Sequence, residues 1–308
     1  MTEYIRGLAN ADLAEGASFA HRLVNGITIH DVELGSKSAP LVILLHGFAD
    51  YWWGWRRQVS QLAAAGFRVV APDQRGYNLS EKPIGLKAYD LDVLAADIVG
   101  LADAYGSGKF CLVGHDFGGL LAWWIATRYP DRVERLVTIN AFHPSVLMPY
   151  VRQHPSQLLR TVYMGIFQIP WLPEWILRMK NFAVLQKLVH VGCRPNTFSP
   201  ADMQRYIKVW STPGTMTGMI NWYRALLRRP KERSVRISVP TLLIWGLRDP
   251  YLQEGLAKAS QDLCDSAQIV WLPQAGHWPQ LEDPEVVNGA LIPFLKGASL
   301  PSASVKEA

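Results

Sequence analysis

The chain has 308 residues, 49% of them apolar and 19% charged, enough to fill a core and too apolar for a wholly disordered chain. Thirty-one Lys and Arg against 26 Asp and Glu leave a formal +5, a mild bias toward anionic surfaces. No apolar run approaches the roughly 18–20 residues of a membrane span, no signal-peptide stretch surrounds Glu3, Arg6 and Asp12, and the three cysteines (Cys111, Cys193, Cys264) form neither a disulfide framework nor a metal-ligand spacing. A cytoplasmic protein with free thiols is the expectation.

The first half alternates strands and helices. Phe19–Val24 and Ile27–Leu34 flank Asn25-Gly26, a hairpin signal. Leu41–His46 is a continuous apolar run, as in a strand covered on both faces. Helical spacing over Trp55–Ala65 stops at Gly66, and Phe67–Pro72 is the next strand. A helix follows over Leu91–Tyr105, then a strand (Phe110–Gly114), a helix (Leu120–Tyr129) and a strand (Val133–Asn140). From Phe142 to about Val235 there is no convincing strand, only Trp-, Leu-, Met- and Arg-rich stretches of helical character. After Pro240 the alternation resumes: strand Thr241–Trp245, helix Leu252–Leu263, strand Gln268–Leu272, helix Val286–Leu295. The order predicts an α/β core with a mostly parallel sheet, helices on both faces and an inserted helical cap. The expected division is core over 1–141, cap over 142–235, core again over 236–298, and a small polar tail over 299–308. The densest basic stretch (Arg224, Arg228, Arg229, Lys231, Arg233, Arg236) has no nucleic-acid-binding motif with it and reads as a solvated helix face and loop.

The chemistry concentrates at three loops. Gly114-His115-Asp116-Phe117-Gly118-Gly119 sits between a strand and a helix, and its glycines permit a sharp turn that pushes the apex side chain outward. This is the nucleophile-elbow pattern G-x-S-x-G with Asp116 in place of serine. Read alone, Asp116 could equally cap the helix. Asp249, in Gly246-Leu247-Arg248-Asp249-Pro250, and His277, in Ala275-Gly276-His277-Trp278, each follow a strand. Alone, each reads as a loop residue. Together they complete the order nucleophile, acid, histidine.

With these residues in place, the chain resembles an α/β-hydrolase of the epoxide hydrolase family, related to haloalkane and fluoroacetate dehalogenases. The resemblance rests on His46-Gly47-Phe48 with Trp53 and Trp55-Arg56, on Asp73-Gln74-Arg75-Gly76-Tyr77 through Ser80 to Pro83, and on the elbow, Asp249 and His277 turns. Two positions depart from the family pattern: Ala49 stands where the H-G-x-P motif has proline, and Asn78 where the D-x-R-G-x-G motif has glycine.

The resemblance implies a covalent route. Asp116 attacks an epoxide carbon, and the resulting alkyl ester is hydrolysed by water that His277 activates and Asp249 orients. Backbone N–H groups of Phe48 and Phe117 form the expected oxyanion hole. Tyr163, in Tyr163-Met164-Gly165 before Pro170, and Tyr223, in Asn221-Trp222-Tyr223-Arg224, stand in contexts similar to the paired tyrosines that hold and protonate the epoxide oxygen. The expected partners are a lipophilic epoxide and water, with no metal, organic cofactor or nucleic acid. The alternatives are a haloalkane dehalogenase, an α/β-hydrolase of another reaction type, or a binding module that has lost turnover. Phe48, Phe117 and Leu120 weigh against the dehalogenases, because they lack the halide-binding N–H groups or carboxylate-binding arginines expected there.

Overall fold

The computed structural model describes residues 16–229 and 235–298. The parts of the basic stretch at Lys231 and Arg233, the tail over 299–308 and the N-terminal Glu3, Arg6 and Asp12 lie outside them. Eight strands form one sheet: β1 Ser18–Val24, β2 Ile27–Leu34, β3 Leu41–Leu45, β4 Arg68–Pro72, β5 Phe110–His115, β6 Val133–Ile139, β7 Thr241–Gly246 and β8 Ala267–Leu272. Their order is β1-β2-β4-β3-β5-β6-β7-β8. β1–β2 and β2–β4 pair antiparallel, and every other pair is parallel. The turn joining β1 and β2 has Asn25 and Gly26 at φ 49° and 76°, the left-handed pair that a two-residue hairpin needs. β3 and β5 are fully buried, as their unbroken apolar runs require.

The core helices are α1 Val59–Ala64, α2 Leu91–Ala104 and α3 Phe117–Arg128 in the first half. Six more, α4 Leu147–Gln153, α5 Pro155–Arg160, α6 Val162–Ile166, α7 Leu172–Val191, α8 Pro200–Trp210 and α9 Thr215–Arg228, lie between β6 and β7. α7 is broken at Met179–Phe182, where three successive residues have positive φ. α10 Gly255–Gln261, α11 Pro279–Glu282 and α12 Pro284–Leu295 complete the chain.

Three helix starts depart furthest from the sequence reading. The expected helix over Trp55–Ala65 divides into a 3₁₀ turn at Trp52–Trp55 and the short α1, with Trp52, Trp53 and Trp55 all buried. α3 starts at Phe117 rather than Leu120, because Gly118 and Gly119 act as close-packing helix positions and not as a turn. The helix expected from Leu252 begins at Gly255, since the N–H groups of Tyr251 and Leu252 donate to Asp249 Oδ1 instead. The basic stretch is also not simply solvated. Arg224 is buried, paired with Glu174 at 2.6 Å and donating to the Phe167 and Ile169 carbonyls, and Arg229 pairs with Asp90 and Asp92.

The sheet order reverses at β3. The chain runs outward from β3 to β4 and returns to β5 on the other side, leaving a crevice at the carboxyl ends of β3 and β5. Leu45 pairs with Gly114, so the residues just beyond them face each other. A Cβ at Gly47 would lie 2.6 Å from Asp116 Cβ, and one at Gly118 would overlap the Leu45 and His46 carbonyls. These glycines exist for backbone approach. Gly118→Ala is therefore expected to lower stability by about 3 kcal/mol or more, read as a urea midpoint shift at unchanged m-value. An alanine variant as stable as the parent would contradict the close approach.

Candidate active site

Asp116 is the apex between β5 and α3, with φ 50° and ψ −119°, a backbone state that a non-glycine residue holds only when its surroundings impose it. Its N–H donates to Ile139 O at 3.2 Å, tying the apex to β6. Phe48 N–H donates to Asp116 Oδ1 at 2.8 Å, and His277 Nε2 stands 3.3 Å from Oδ2. Phe117 is the first residue of α3, directly after the apex.

His277 Nδ1 lies 2.7 Å from Asp249 Oδ2. Asp249 is buried and fully engaged, accepting from Asn140 Nδ2 at 2.7 Å on Oδ2 and from the Tyr251 and Leu252 N–H groups on Oδ1. With its acceptors occupied by donors, Asp249 holds the imidazole with Nδ1 protonated and Nε2 toward Asp116.

Burial opposes charge on His277, but the Asp249 carboxylate and then contact with Asp116 overcome it and raise its pKa to about 10. Burial likewise opposes charge on Asp116, and the His277 hydrogen bond and charge reverse that, holding its carboxyl below the usual value. The resting site is thus a buried imidazolium between two carboxylates.

Tyr163 on α6 and Tyr223 on α9 cover this group. Their ring centroids are 5.8 Å apart, and Tyr223 stands edge-on to Phe117 at 4.4 Å and to Phe48 at 5.1 Å. Burial first raises both phenols well above the usual tyrosine value. The Asp116 charge adds to this for Tyr163, and the neighbouring Tyr163 and then Asp116 add to it for Tyr223. Both therefore keep their protons at neutral pH. One apolar cavity is lined by Asp116, His277, Tyr163 and Tyr223 with Phe48, Phe167, Leu185, Leu188, Val189 and Trp278. A second recess opens on the other side of Asp116 and the tyrosines, along Leu120, Phe142, Met164 and Leu252. All seven residues singled out from the sequence thus surround one point.

The structure adds residues that the sequence reading missed. Asn140, at φ 41° just past β6, donates to Asp249 and also accepts from Gly246 N–H through its Oδ1 at 2.8 Å. A polar residue directly after the buried strand end Leu136–Ile139 was its only signal. Glu282 accepts from the N–H groups of Gly276 and Trp278, on both sides of His277. His115 Nε2 lies 2.7 Å from His277 O. Tyr251 stacks edge-on to His277 at 5.3 Å and donates to Leu188 O. His46 accepts from Gln74 N–H through Nε2, and burial pushes its pKa down to about 4, so it is a neutral brace under the Phe48 loop.

The two family departures both sit at positive φ, 58° for Ala49 and 37° for Asn78. Proline cannot adopt φ 58°, so this loop has a path of its own. It is pinned from above by α8: Trp210 Nε1 donates to Ala49 O at 2.9 Å, and Tyr206 OH to Asp50 Oδ1 at 2.8 Å.

A carboxylate on a strand-to-helix elbow, a histidine paired with a second carboxylate, and the sheet order define an α/β-type hydrolase with an aspartate at the apex of the elbow. The comparisons with known proteins agree. A family model described as alpha/beta hydrolase fold matches residues 40–284. An AB hydrolase superfamily protein of Bacillus subtilis, YfhM, is 40% identical over 88% of this chain and 96% of its own. Human Epoxide hydrolase 4 is 37% identical over 88% of this chain and 76% of its own. Among solved structures, an epoxide hydrolase mutant from Bacillus megaterium, complexed with its product (R)-3-[1]naphthyloxy-propane-1,2-diol, superposes with a TM-score of 0.82 at 33% identity, over 90% of this chain and all of that one. The chain belongs to the epoxide hydrolase family of the α/β-hydrolase fold.

The charge arrangement sets a pH dependence. A folded-state pKa raised from 6.5 to about 10 means that the folded chain holds the His277 proton where the unfolded chain has released it. The resulting stabilisation is complete below about pH 6.5 and is lost as pH rises through about 10. Thermal midpoints should therefore fall more steeply between pH 7 and 10 in the wild type than in His277→Gln; parallel curves would contradict the assignment. Asn140→Ala should cost about 1–3 kcal/mol in a chemical melt, since it leaves buried groups of Asp249 and Gly246 unpaired. An unchanged melt would show that these bonds contribute nothing.

Proposed function

We propose that the chain hydrolyses lipophilic epoxides to vicinal diols through a covalent ester on Asp116. The observation that carries this reading is the shared cavity: an ionised Asp116 faces two buried, protonated tyrosines across an apolar space. The Bacillus megaterium relative, complexed with its diol product, supports the same substrate class.

In the proposed sequence, Asp116 Oδ2 attacks a ring carbon and the C–O bond of the epoxide breaks. The departing oxygen takes a proton from Tyr163 or Tyr223, so no free alkoxide forms. Ester formation removes the negative charge of Asp116, one of the two partners that keep His277 protonated. The imidazolium then surrenders its proton, which can return the tyrosinate to its neutral phenol, and His277 becomes a competent base. It accepts a proton from water as that water attacks the ester carbonyl. The developing oxyanion on Oδ1 is held by Phe48 N–H, with Phe117 N–H as the second expected donor; such a donor contributes about 3–4 kcal/mol. Collapse releases the diol and regenerates Asp116. The sum is epoxide plus water.

Residues 142–235 serve as the cap in this reading, with residues 1–141 and 236–298 as the core, since Tyr163, Phe167, Leu185 and Tyr223 all reach the cavity from the insertion. The three free cysteines fit a cytoplasmic setting.

Diol formation from an aryl glycidyl ether tests the reading. Tyr163→Phe and Tyr223→Phe should each lower kcat by about a hundredfold with circular dichroism unchanged. Bromide release from a bromoalkane that outpaces diol formation and survives both tyrosine changes would make the protein a dehalogenase instead.

A further inference from the structure

We propose that the outer face of α6 and the first half of α7 docks on anionic lipid surfaces and takes lipophilic substrate from the bilayer. The substrate-delivery half of this rests on the catalytic reading above; the docking half does not. Trp171 is 83% exposed and Trp175 63%, an unusual disposition for the largest apolar side chains. Ile166 and Ile169, just before them, are also exposed. Trp175 and Arg178 are spaced to share one face of α7, and Trp171 stands at its N-cap. Arg178 shares a groove with Trp171 and Arg228.

The charges point to the partner. Between residues 147 and 191 the only acidic residue is Glu174, and it is consumed by its ion pair with Arg224. Arg178 and Lys180 are exposed and make no hydrogen bond or ion pair among the described residues. Exposed tryptophan and isoleucine flanked by unpaired cations match the apolar and headgroup levels of an anionic bilayer surface. A second copy of this chain is a poorer occupant, because a two-fold contact through this face would bring together two sets of Arg178 and Lys180 with no acidic residue but the already paired Glu174 between them.

The same helices reach the catalytic cavity from their other side. Val162 and Ile166 of α6 face outward, while Tyr163 lines the cavity. Beyond the break at Met179–Phe182, Leu185, Leu188 and Val189 in the second half of α7 line it as well. At α6, therefore, a substrate leaving the bilayer has only the thickness of one helix between it and the cavity wall.

Flotation of the full chain with vesicles tests the proposal. Equimolar phosphatidylcholine and phosphatidylglycerol vesicles should carry the protein at low salt and release it at high salt, while pure phosphatidylcholine vesicles should carry much less. Trp171→Ser with Trp175→Ser should weaken vesicle binding by about tenfold or more. Arg178→Glu with Lys180→Glu should abolish the preference for the anionic vesicles. Both double variants should retain diol formation from a small water-soluble epoxide. Equal partition of the wild type on both vesicle types would overturn the proposal. So would a monomer–dimer equilibrium that is lost in the tryptophan variant without vesicle binding, which would give this face to a second copy. Vesicle binding without turnover of any epoxide would remove the catalytic reading and leave the docking surface; turnover without vesicle binding would do the reverse.

Discussion

The backbone of Asp116 is the constraint on which the site depends. Holding an aspartate at φ 50° and ψ −119° costs on the order of 1–3 kcal/mol, and the surrounding fold must supply it. It does so through the fully buried β5, held between its parallel neighbours β3 and β6, and through the glycines at 47, 114, 118 and 119, each placed where a Cβ would strike backbone or the apex itself. The strain lifts the carboxylate out of the strand end and into the crevice made by the reversal of sheet order. There the Phe48 loop, the His277 loop and the tyrosines of the inserted helices can all reach it.

Charge within this site is balanced in a way that ties the two chemical halves together. His277 lies between Asp249, which its neighbours Asn140, Tyr251 and Leu252 lock in place, and Asp116, which the proposed ester would neutralise. An imidazole protonated in the resting state suits a site in which a carboxylate must stay ionised. In the proposed route the same imidazole, freed of one carboxylate by ester formation, suits the base that hydrolyses the ester. No additional group is needed to switch roles.

Much of this was legible in the sequence because backbone necessity leaves marks in residue type. Asn25-Gly26, the elbow glycines and the unbroken Leu41–Leu45 run each admit few structures, and Asp116, Asp249 and His277 follow strands in a fixed order. What was hidden depends on long-range contact. Asn140 reaches loops 106 and 109 residues away in sequence, and a lone polar residue at a strand end carries no partner's name; Glu282 is only 4 and 6 residues from its donors, but nothing in its own residue type says that it folds back on the His277 loop. Arg224 looked like one member of a basic run, yet a single glutamate 50 residues away and two carbonyls draw it inside. The left-handed path at Ala49 was equally hidden, because only the structure shows Trp210 and Tyr206 pinning that loop from α8.

The covalent ester is the central claim, and intact-protein mass of His277→Gln after incubation with an aryl glycidyl ether tests it most directly. With the base removed, the account predicts a stable increment equal to the whole epoxide, mapped to the peptide that holds Asp116 and absent when Asp116→Asn is added. An unmodified mass from a variant that still binds the epoxide would contradict it.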